Sequence, residues 1–185
     1  MADKTNEVYP IQIGGVKRDL RLFEIKPGLK IAIINILGDT ELVQVCAQEL
    51  SKKMNSAKFD VLVTAEAKSI PLVHALSVII EKPYIVLRKS YKIYMGDAIK
   101  AETISITTGK TQTLILDEKD IPVLNGKRAA IVDDVISTGS TLHGMLEIIE
   151  KAGAQVTLKA AIFTEGDDGE WSDVIALGHL PVFID

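Results

Sequence analysis

A segment in the second half of the chain combines two carboxylates with a run of hydroxyl side chains around one glycine. Asp133 and Asp134 end an apolar stretch, and the loop of residues 137–141 follows before a predicted helix. Free backbone N–H groups at a helix start, together with hydroxyls and the helix dipole, form a site for phosphate. Carboxylates repel phosphate, so the aspartates suit sugar hydroxyls or a Mg²⁺ ion beside it. The segment therefore predicts a phosphorylated sugar as ligand.

The apolar residues before the acid pair, Ala129–Val132, predict a strand buried on both faces, as in a parallel sheet. Ligands of open α/β sheets bind at the carboxyl ends of the strands, which is where the acid pair lies. The alternative is an acidic strand end followed by an ordinary helix cap, with no ligand. The strand, the acid pair, the glycine and the helix start follow one another in the order and spacing of a ligand-binding loop, which favours the ligand site.

Strand and helix patterns alternate from Asp39 to Phe163 and predict an α/β fold with a doubly wound parallel sheet. Helices are predicted from an Asp39 or Thr40 cap to Met54 and after Leu142, the latter ended by Gly153. Cys46 lies on the apolar face of the first and is interpreted as a core residue. A third helix is apolar on nearly every side, so we expect it to be buried. Its His74 is interpreted as a core or helix-packing residue and not as a catalyst. This third helix is predicted over Ile70–Glu81. The predicted strands of the alternation are Phe59–Thr64, Pro83–Leu87 and Val156–Phe163.

The segments outside this alternation predict strands, turns and a loop. We expect a strand from Leu20 to Ile25 that ends at Pro27-Gly28, and edge strands near the C-terminus. We interpret 165–169 as a solvated turn and 89–100 as a polar, mobile segment. The remaining predicted strands are Ile31–Leu37, Glu102–Thr107 paired with Thr111–Leu116 across a turn at 108–110, Val174–Leu177 and Val182–Ile184.

Three cations follow predicted strands at the same edge of the sheet. Lys68 lies after the first strand of the β-α-β unit, and Arg88 and Lys89 lie after the second. Because the carboxyl ends of parallel strands meet at one edge, these cations can converge on an anion. Converging cations bind pyrophosphate and stabilise its charge, although a lone lysine is also a common solvated residue.

Composition excludes several classes of function. Of 185 residues, 47% are apolar and 25% are charged, with a net charge of −4, which argues against nucleic acid as the main partner. The one cysteine excludes an internal disulfide, and three scattered histidines give no zinc pattern. No signal peptide or apolar run of membrane length is visible, so we expect a cytoplasmic protein without membrane contact.

The acid-pair segment resembles the phosphoribosyl-pyrophosphate (PRPP) signature of type I phosphoribosyltransferases. That signature has apolar residues, two acids, a few small residues and then T-G-x-T, matched here by Val132-Asp133-Asp134 and Thr138-Gly139-Ser140-Thr141. The resemblance implies one domain over residues 1–185, with residues 1–38 and 170–185 contributing a small hood or edge elements, and a flexible β-hairpin loop. It also implies Mg²⁺ as cofactor and a homodimer.

A second motif, Ala65-Glu66-Ala67-Lys68-Ser69, looks like the pyrophosphate loop of adenine phosphoribosyltransferases. That loop usually reads glutamate-alanine-arginine-glycine, so Lys68 replaces the arginine and Ser69 the glycine. In the family it often holds a cis peptide bond that does not involve proline. Arg88-Lys89 matches an arginine-lysine pair after the next strand, and Tyr91–Thr113 corresponds to the loop that closes over PRPP.

A further resemblance points to a regulator instead of an enzyme. Residues 63–72 and Gln112-Thr113-Leu114 are similar to the effector domain of the bacterial purine repressor, which binds PRPP as a signal, and xanthine phosphoribosyltransferases share these features. The repressor carries a winged-helix domain ahead of this fold. Here few and non-basic residues precede the core, so we expect no DNA-binding repressor, while a stand-alone PRPP sensor stays open.

The resemblance implies a purine phosphoribosyltransferase whose partners are PRPP, a purine base and pyrophosphate. Adenine is the first expectation for the base, with xanthine, hypoxanthine or guanine as alternatives. It implies catalytic roles for Asp133, Asp134 and Arg88, with the two aspartates supporting Mg²⁺ directly or indirectly. The implied substrate-binding residues are Ala65, Glu66, Ala67, Lys68, Ser69, Lys89, Val135, Ser137, Thr138, Gly139, Ser140 and Thr141.

Overall fold

The computed structural model describes residues 7–104, 111–167 and 169–184, which form eleven strands, four α-helices and two short 3₁₀ helices. The 3₁₀ helices are Ile93–Met95 and Glu118–Asp120. In chain order, the other elements are β1 (Val8–Ile13), β2 (Val16–Lys26), β3 (Leu29–Ile33), α1 (Thr40–Met54), β4 (Val61–Ala65), α2 (Ile70–Ile80), β5 (Tyr84–Leu87), β6 (Ile99–Ile104), β7 (Thr111–Leu116), α3 (Ile121–Leu124), β8 (Arg128–Ile136), α4 (Ser140–Lys151), β9 (Gln155–Glu165), β10 (Ile175–Leu180) and β11 (Val182–Ile184).

The central sheet contains five parallel strands in the order β10-β9-β8-β4-β5. Successive side chains point to opposite faces, so Ala130 and Val132 enter the core beneath α1 and α2, while Ala129 and Ile131 enter the core beneath α4. Both faces are therefore covered, as the continuous apolar runs predicted. The predicted doubly wound parallel sheet is confirmed.

Helix α1 begins, and helix α4 ends, where the predicted capping residues place these boundaries. The Asp39 side chain accepts a hydrogen bond from the Leu42 N–H at 3.1 Å, which satisfies one free donor at the start of α1. Cys46 is fully buried on this helix, and burial raises the pKa of its thiol to about 12, as suits an inert core residue. Gly153 follows α4 with φ +77°, a conformation that favours glycine.

Helix α2 departs from the prediction that it would be buried all round. Its inner face packs in the core, but Val78 and Ile79 are 65% and 45% exposed. His74, predicted as a core or helix-packing residue, is exposed and not in the core, and its ring packs edge-on against Tyr84 with centroids 5.8 Å apart. The apolar pattern of a helix does not reveal how many layers cover it, and within the described residues no layer covers this outer face.

Among all the residues that the structure describes, no helix is long and apolar enough to cross a membrane.

A smaller antiparallel sheet, in the order β1-β2-β3-β11, lies beside the central one. The predicted turn at Pro27-Gly28 joins β2 and β3 as a hairpin. Strand β1 was not predicted, because its apolar residues are few and the Gly14-Gly15 turn breaks the pattern. Arg18 of β2 forms an ion pair with Asp39 at 2.7 Å, which ties this sheet to the start of α1.

The predicted hairpin is present as β6 and β7, although β6 begins at Ile99 rather than Glu102. The predicted turn at 108–110 lies outside the described residues. The backbone groups of Arg88 exchange two hydrogen bonds with Ile115, which joins the end of β5 to β7. The segment 89–100, predicted to be polar and mobile, contains the buried side chain of Met95.

Candidate active site

The loop between β8 and α4 forms a small concave cradle of backbone N–H groups and hydroxyls. Gly139 precedes the helix with φ +74°, and the first helical N–H groups follow it. The cavity inside this loop measures about 90 Å³. Its lining is Asp133, Val135, Ile136, Ser137, Thr138, Gly139, Ser140, Thr141 and Leu142. A helix start with this lining binds a compact anion such as phosphate.

A side chain at Gly139 would have no room. A Cβ atom there would lie 2.5 Å from Cη2 of Trp171 and 3.3 Å from Cε1 of His143. The positive φ angle and the indole ring therefore both require glycine at this position. Sequence reasoning did not identify Trp171, since a lone tryptophan after a polar turn gives no periodic signal.

The two aspartates are held by one hydroxyl from the loop after β4. Ser69, which is 1% exposed, donates from Oγ to Oδ1 of Asp133 at 2.7 Å and accepts from the backbone N–H of Asp134 at 2.9 Å. The same hydroxyl lies 3.2 Å from Oδ1 of Asp134. The structure thus brings the predicted acid pair and the predicted pyrophosphate loop into direct contact.

The carboxyl group of Asp133 is harder to ionise than an ordinary aspartate. Burial raises its pKa, and the neighbouring Asp134 raises it further, to about 7, against the opposing hydrogen bond from Ser69. The cause is that two neighbouring carboxylates shielded from water repel each other when both are ionised, which raises the free energy of the doubly charged state. Strongly perturbed carboxyl groups at a strand end are typical of functional sites.

Lys68 supplies the nearest positive charge. Its Nζ atom lies 3.1 Å from Oδ2 of Asp134 and 3.4 Å from the carbonyl oxygen of Ile34, so it bridges the acid pair and the segment after β3. The predicted cis peptide bond is present between Glu66 and Ala67. Ala65 is buried at the end of β4, so the loop reaches the site through its backbone and through Lys68 and Ser69.

Arg88 and Lys89 are attached to the same loop through Glu66. The Arg88 guanidinium donates to Glu66 at 2.6 Å, and the Lys89 backbone N–H donates to the other carboxylate oxygen at 2.5 Å. Burial alone would raise the pKa of Glu66, but these two donors hold it below its usual value. Glu66 in turn raises the pKa of Arg88, with a smaller contribution from Tyr94. Neither Arg88 nor Lys89 lines the phosphate cradle or the larger cleft beside it.

A larger cleft of about 430 Å³ opens between the small sheet and the carboxyl ends of β8 and β9. Val135, Ser137 and Thr138 line both this cleft and the phosphate cradle, so the two cavities adjoin one another at these residues. The remaining lining residues are Ile25, Leu29, Ile31, Ala32, Ile33, Ile34, Lys68, Glu165, Gly166, Glu170 and Val182. Apolar walls with a few polar groups are typical of a site for a flat organic ring.

Glu165 contradicts the prediction of a solvated turn at 165–169. It is the last residue of β9 and only 6% exposed, and its Oε1 accepts a hydrogen bond of 2.7 Å from the Ser137 hydroxyl. The signal was present in the sequence, because Glu165 follows an apolar strand just as Asp133 does. The acidic turn that comes next hid it. The apolar cleft residues of β2 and β3 were also missed, since nothing local says which sheet edge they face.

The acid pair places two neighbouring carboxyl groups beside the phosphate cradle. Within residues 7–104, 111–167 and 169–184, no group of three or more histidine, cysteine or acidic side chains could hold a metal. Mg²⁺ usually binds through one or two carboxylates together with substrate phosphates and water. Asp133 and Asp134 fit that pattern, as the chemistry of a metal that arrives with a phosphorylated substrate requires.

Comparison with known sequences identifies the family to which this chain belongs. The family described as the phosphoribosyl transferase domain matches residues 35–173. The hypoxanthine/guanine phosphoribosyltransferase of Methanococcus voltae is 36% identical over 89% of this chain and 80% of its own length. The purine biosynthesis transcriptional repressor of Bacillus subtilis is 25% identical over 78% of this chain. This chain spans 50% of that repressor's length.

Comparison with solved structures gives the same fold. Adenine phosphoribosyltransferase from Thermoanaerobacter pseudethanolicus superposes with a TM-score of 0.72 and 24% identity, covering 86% of this chain and 95% of that one. The enzyme from Giardia lamblia, solved with 9-deazaadenine, gives a TM-score of 0.67 and 17% identity, covering 96% of both chains.

Proposed function

This chain belongs to the phosphoribosyl transferase domain family, and we propose that it transfers the 5-phosphoribosyl group of PRPP to a purine nitrogen and releases pyrophosphate. The type I phosphoribosyltransferase fold predicted from the sequence is confirmed. The observation that carries the proposal is that the two cavities adjoin one another at Ser137, which lines both. A phosphate in the cradle and a base in the cleft would lie on either side of a ribose at the acid pair.

Each part of the site has a role in this reaction. The backbone N–H groups of the loop 137–141, Ser137 to Thr141, hold the 5′-phosphate together with the hydroxyls of Thr138, Ser140 and Thr141. Asp133 and Asp134 hold the ribose hydroxyls. The loop 65–69 faces the pyrophosphate, with Lys68 and Arg88 stabilising the charge that develops on it as it leaves. Lys68 leaves Asp134 for the incoming phosphates, because a doubly charged phosphate attracts an ammonium group more strongly than one carboxylate does.

Mg²⁺ would be held at Asp133 and Asp134, where it would neutralise pyrophosphate charge. The segment from Tyr91 to the β6-β7 hairpin is proposed to close over the site and exclude water. The small sheet, with residues from 1–38 and 170–185, serves as the hood over the base within a single domain. A homodimer remains a proposal, supported by the apolar outer face of α2.

Adenine is the base that we propose first. The cleft carries the carboxyl groups of Glu165 and Glu170, and an ionised carboxylate only accepts hydrogen bonds. Adenine offers an exocyclic amino donor where hypoxanthine and guanine carry a carbonyl oxygen, so exposed Glu170 can bind the amino group. The second candidate is a 6-oxopurine, which the 36% identity to a hypoxanthine/guanine phosphoribosyltransferase supports.

The alternative class is a PRPP sensor without turnover, which the similarity to a transcriptional repressor supports. Both classes need the phosphate cradle and the acid pair. Only an enzyme needs an occupied base cleft at every turnover. The cleft under the small sheet therefore favours the enzyme.

A panel of bases tests this proposal. The protein is incubated with PRPP, Mg²⁺ and each of adenine, hypoxanthine, guanine and xanthine, and nucleotide is measured by chromatography. We expect a kcat/KM for adenine at least about 10-fold above the others, the difference made by one well-placed hydrogen bond. Glu170→Gln should reduce this preference. A preference for hypoxanthine or guanine would replace adenine, and tight PRPP binding without any nucleotide would support the sensor.

A further inference from the structure

We propose that Ser137 and Glu165 form the proton acceptor for the attacking purine, with the Ser137 hydroxyl taking the ring N–H proton and passing its own proton to Glu165. This inference rests on the proposed function and adds a catalytic pair to it. The pair joins the ends of β8 and β9 through one hydrogen bond of 2.7 Å between Ser137 Oγ and Glu165 Oε1.

The reaction itself requires a proton acceptor. The purine nitrogen that attacks C1 of the ribose carries a hydrogen in the neutral base. As the N–C1 bond forms, the C1–O bond to pyrophosphate breaks, and pyrophosphate leaves with the electron pair. The ring nitrogen must then lose its proton, or the product keeps a positive charge on the base. A positioned acceptor within hydrogen-bond reach lowers the barrier to this step.

The direction of the Ser137 hydrogen bond fixes what its oxygen can do. A hydroxyl has one hydrogen and two lone pairs, and Glu165, whose acceptor oxygen faces it, takes the hydrogen. The lone pairs of Ser137 Oγ are then free to accept a hydrogen bond from a donor in the cleft. A ring N–H group is such a donor, whereas phosphate is not. The Ser137 hydroxyl therefore serves the base, and its backbone N–H serves the phosphate.

Ser137 also lies at the position where the reacting atoms must meet. It lines both the phosphate cradle and the base cleft, so its side chain lies between the 5′-phosphate and the base. Glu165 is 6% exposed and lines the cleft from the end of the neighbouring strand. The Glu165 carboxyl group accepts its side-chain hydrogen bond from Ser137, within the part of the chain that the structure describes. Burying a carboxyl group with one hydrogen bond lowers the free energy of unfolding, so its position calls for a functional explanation.

The other carboxyl groups near the site are committed elsewhere. Asp133 and Asp134 are hydrogen-bonded to Ser69 and, for Asp134, paired with Lys68. Glu66 is bound by Arg88 and by the Lys89 backbone. Glu170 is exposed in the cleft and has no link to the phosphate cradle among the contacts described. Glu165 is therefore the carboxyl group best placed to receive the proton.

The test compares Glu165→Gln and Ser137→Ala with the wild-type protein. Glutamine keeps an oxygen that accepts from Ser137 but cannot take the proton, so the geometry survives while the chemistry is lost. We expect kcat with adenine to fall by about 10²- to 10⁴-fold in each variant, the usual size of a general-base effect. The PRPP dissociation constant, measured by calorimetry, should change by less than about 3-fold. The double variant should be no slower than the slower single variant, since the pair acts as one unit.

A second base separates proton transfer from base recognition. 8-Azaadenine has a more acidic ring N–H because of its additional ring nitrogen, so its reaction needs an acceptor less. The two variants should lose clearly less kcat with 8-azaadenine than with adenine. Ser137→Thr, which keeps a hydroxyl, should retain most of the activity.

Asp117→Asn is the matched control. It alters another buried carboxyl group that accepts a backbone hydrogen bond, from Lys119 at 3.1 Å, and lines neither cavity. It should keep wild-type kcat. A rise in KM for adenine with unchanged kcat, or equal losses with both bases, would overturn the pair as proton acceptor while leaving the proposed function intact. A wild-type protein that binds PRPP yet forms no nucleotide with any base would overturn both.

Discussion

At the scale of single residues, the site depends on one hydroxyl that the family pattern does not supply. Ser69 occupies the position where the pyrophosphate loop of adenine phosphoribosyltransferases usually carries glycine. Its Oγ atom connects the loop after β4 to Asp133, 64 residues away in sequence. Its hydroxyl satisfies a carboxylate oxygen of Asp133 and the backbone N–H of Asp134 at once. Buried polar groups without partners destabilise a protein, so Ser69 stabilises the acid pair in the substrate-free state.

Ser69→Ala should therefore destabilise the protein. Removing the hydroxyl takes one hydrogen-bond partner each from the Asp134 N–H and from Oδ1 of Asp133, which keep only their bond to each other at 2.9 Å. We expect the free energy of unfolding to fall by about 1–2 kcal/mol. Urea unfolding followed by circular dichroism measures it. Ser51→Ala is the control, since its hydroxyl bonds only the Gln48 carbonyl at an exposed site. A loss no greater than that of the control would mean that Ser69 does not hold the acid pair.

Asp133 should make stability depend on pH. Its folded pKa is raised to about 7, above the usual value for an aspartate, so the folded protein holds this proton more tightly than the unfolded chain does. The stabilisation is present below the ordinary pKa of aspartate and is lost as pH rises through about 7. Asp133→Asn should remove this slope and raise the free energy of unfolding at pH 8 by on the order of 2 kcal/mol.

This comparison uses urea unfolding at pH 5 and pH 8 without PRPP or Mg²⁺. The relevant quantity is the difference between the wild type and Asp133→Asn at each pH, because other groups contribute equally to both proteins. A difference that is the same at pH 5 and pH 8 would show that Asp133 has no raised pKa.

At the scale of elements, the strand-loop-helix unit of β8 and α4 was the easiest to predict. The apolar strand, the acid pair and the glycine before the helix are local signals that later packing does not alter. Elements whose packing depends on distant partners were not predictable in the same way. The outer face of α2 looks like core in the sequence, and β1 gives too short a pattern. Glu165 was assigned to a turn because the acidic residues after it resemble solvent-exposed sequence.

Gly139 should be intolerant of any side chain. A Cβ atom would contact Trp171 at 2.5 Å, so Gly139→Ala must shift the loop or the indole ring, and the cradle would lose its shape. We expect ribose 5-phosphate affinity to fall at least about 10-fold, which one disrupted set of charge-assisted hydrogen bonds explains. Calorimetry measures this.

Gly126→Ala is the matched control for this prediction. Gly126 has φ +73°, close to that of Gly139, but a Cβ atom there would meet nothing within 4 Å. It reports the cost of the backbone conformation without a clash at the cradle. Equal affinities of the two variants for ribose 5-phosphate would remove Gly139 from the phosphate site.

The segment before β6 should affect turnover more than binding. Ile93 is 91% exposed and Tyr94 is also exposed, while buried Met95 anchors the segment. Closure of these exposed side chains over the site would exclude water from the transition state. Replacing Ile93 and Tyr94 by serine should lower kcat about 10-fold and change the PRPP dissociation constant less than 3-fold, since closure acts chiefly in the transition state. A larger effect on PRPP affinity than on kcat would contradict closure as a catalytic step.

At the scale of the whole molecule, the site is assembled from segments far apart in sequence. The loop after β4 meets the acid pair of β8, β9 supplies Glu165, and the hairpin of β2 and β3 forms the opposite wall of the cleft. The sequence predicted that the acid pair and the loop 137–141 lie together, because these motifs are local. It did not predict the larger cleft, because that cleft exists only when the small sheet packs against the central one.

The most direct measurement follows PRPP and adenine with Mg²⁺ by phosphorus NMR. Our account predicts that pyrophosphate and adenosine monophosphate appear together in equal amounts, and only when the protein and both substrates are present. Asp134→Asn, which removes a carboxylate from the ribose site without changing its shape, should abolish this signal while the protein stays folded. PRPP that remains intact with adenine and with every other purine, although it binds the wild-type protein, would contradict the account.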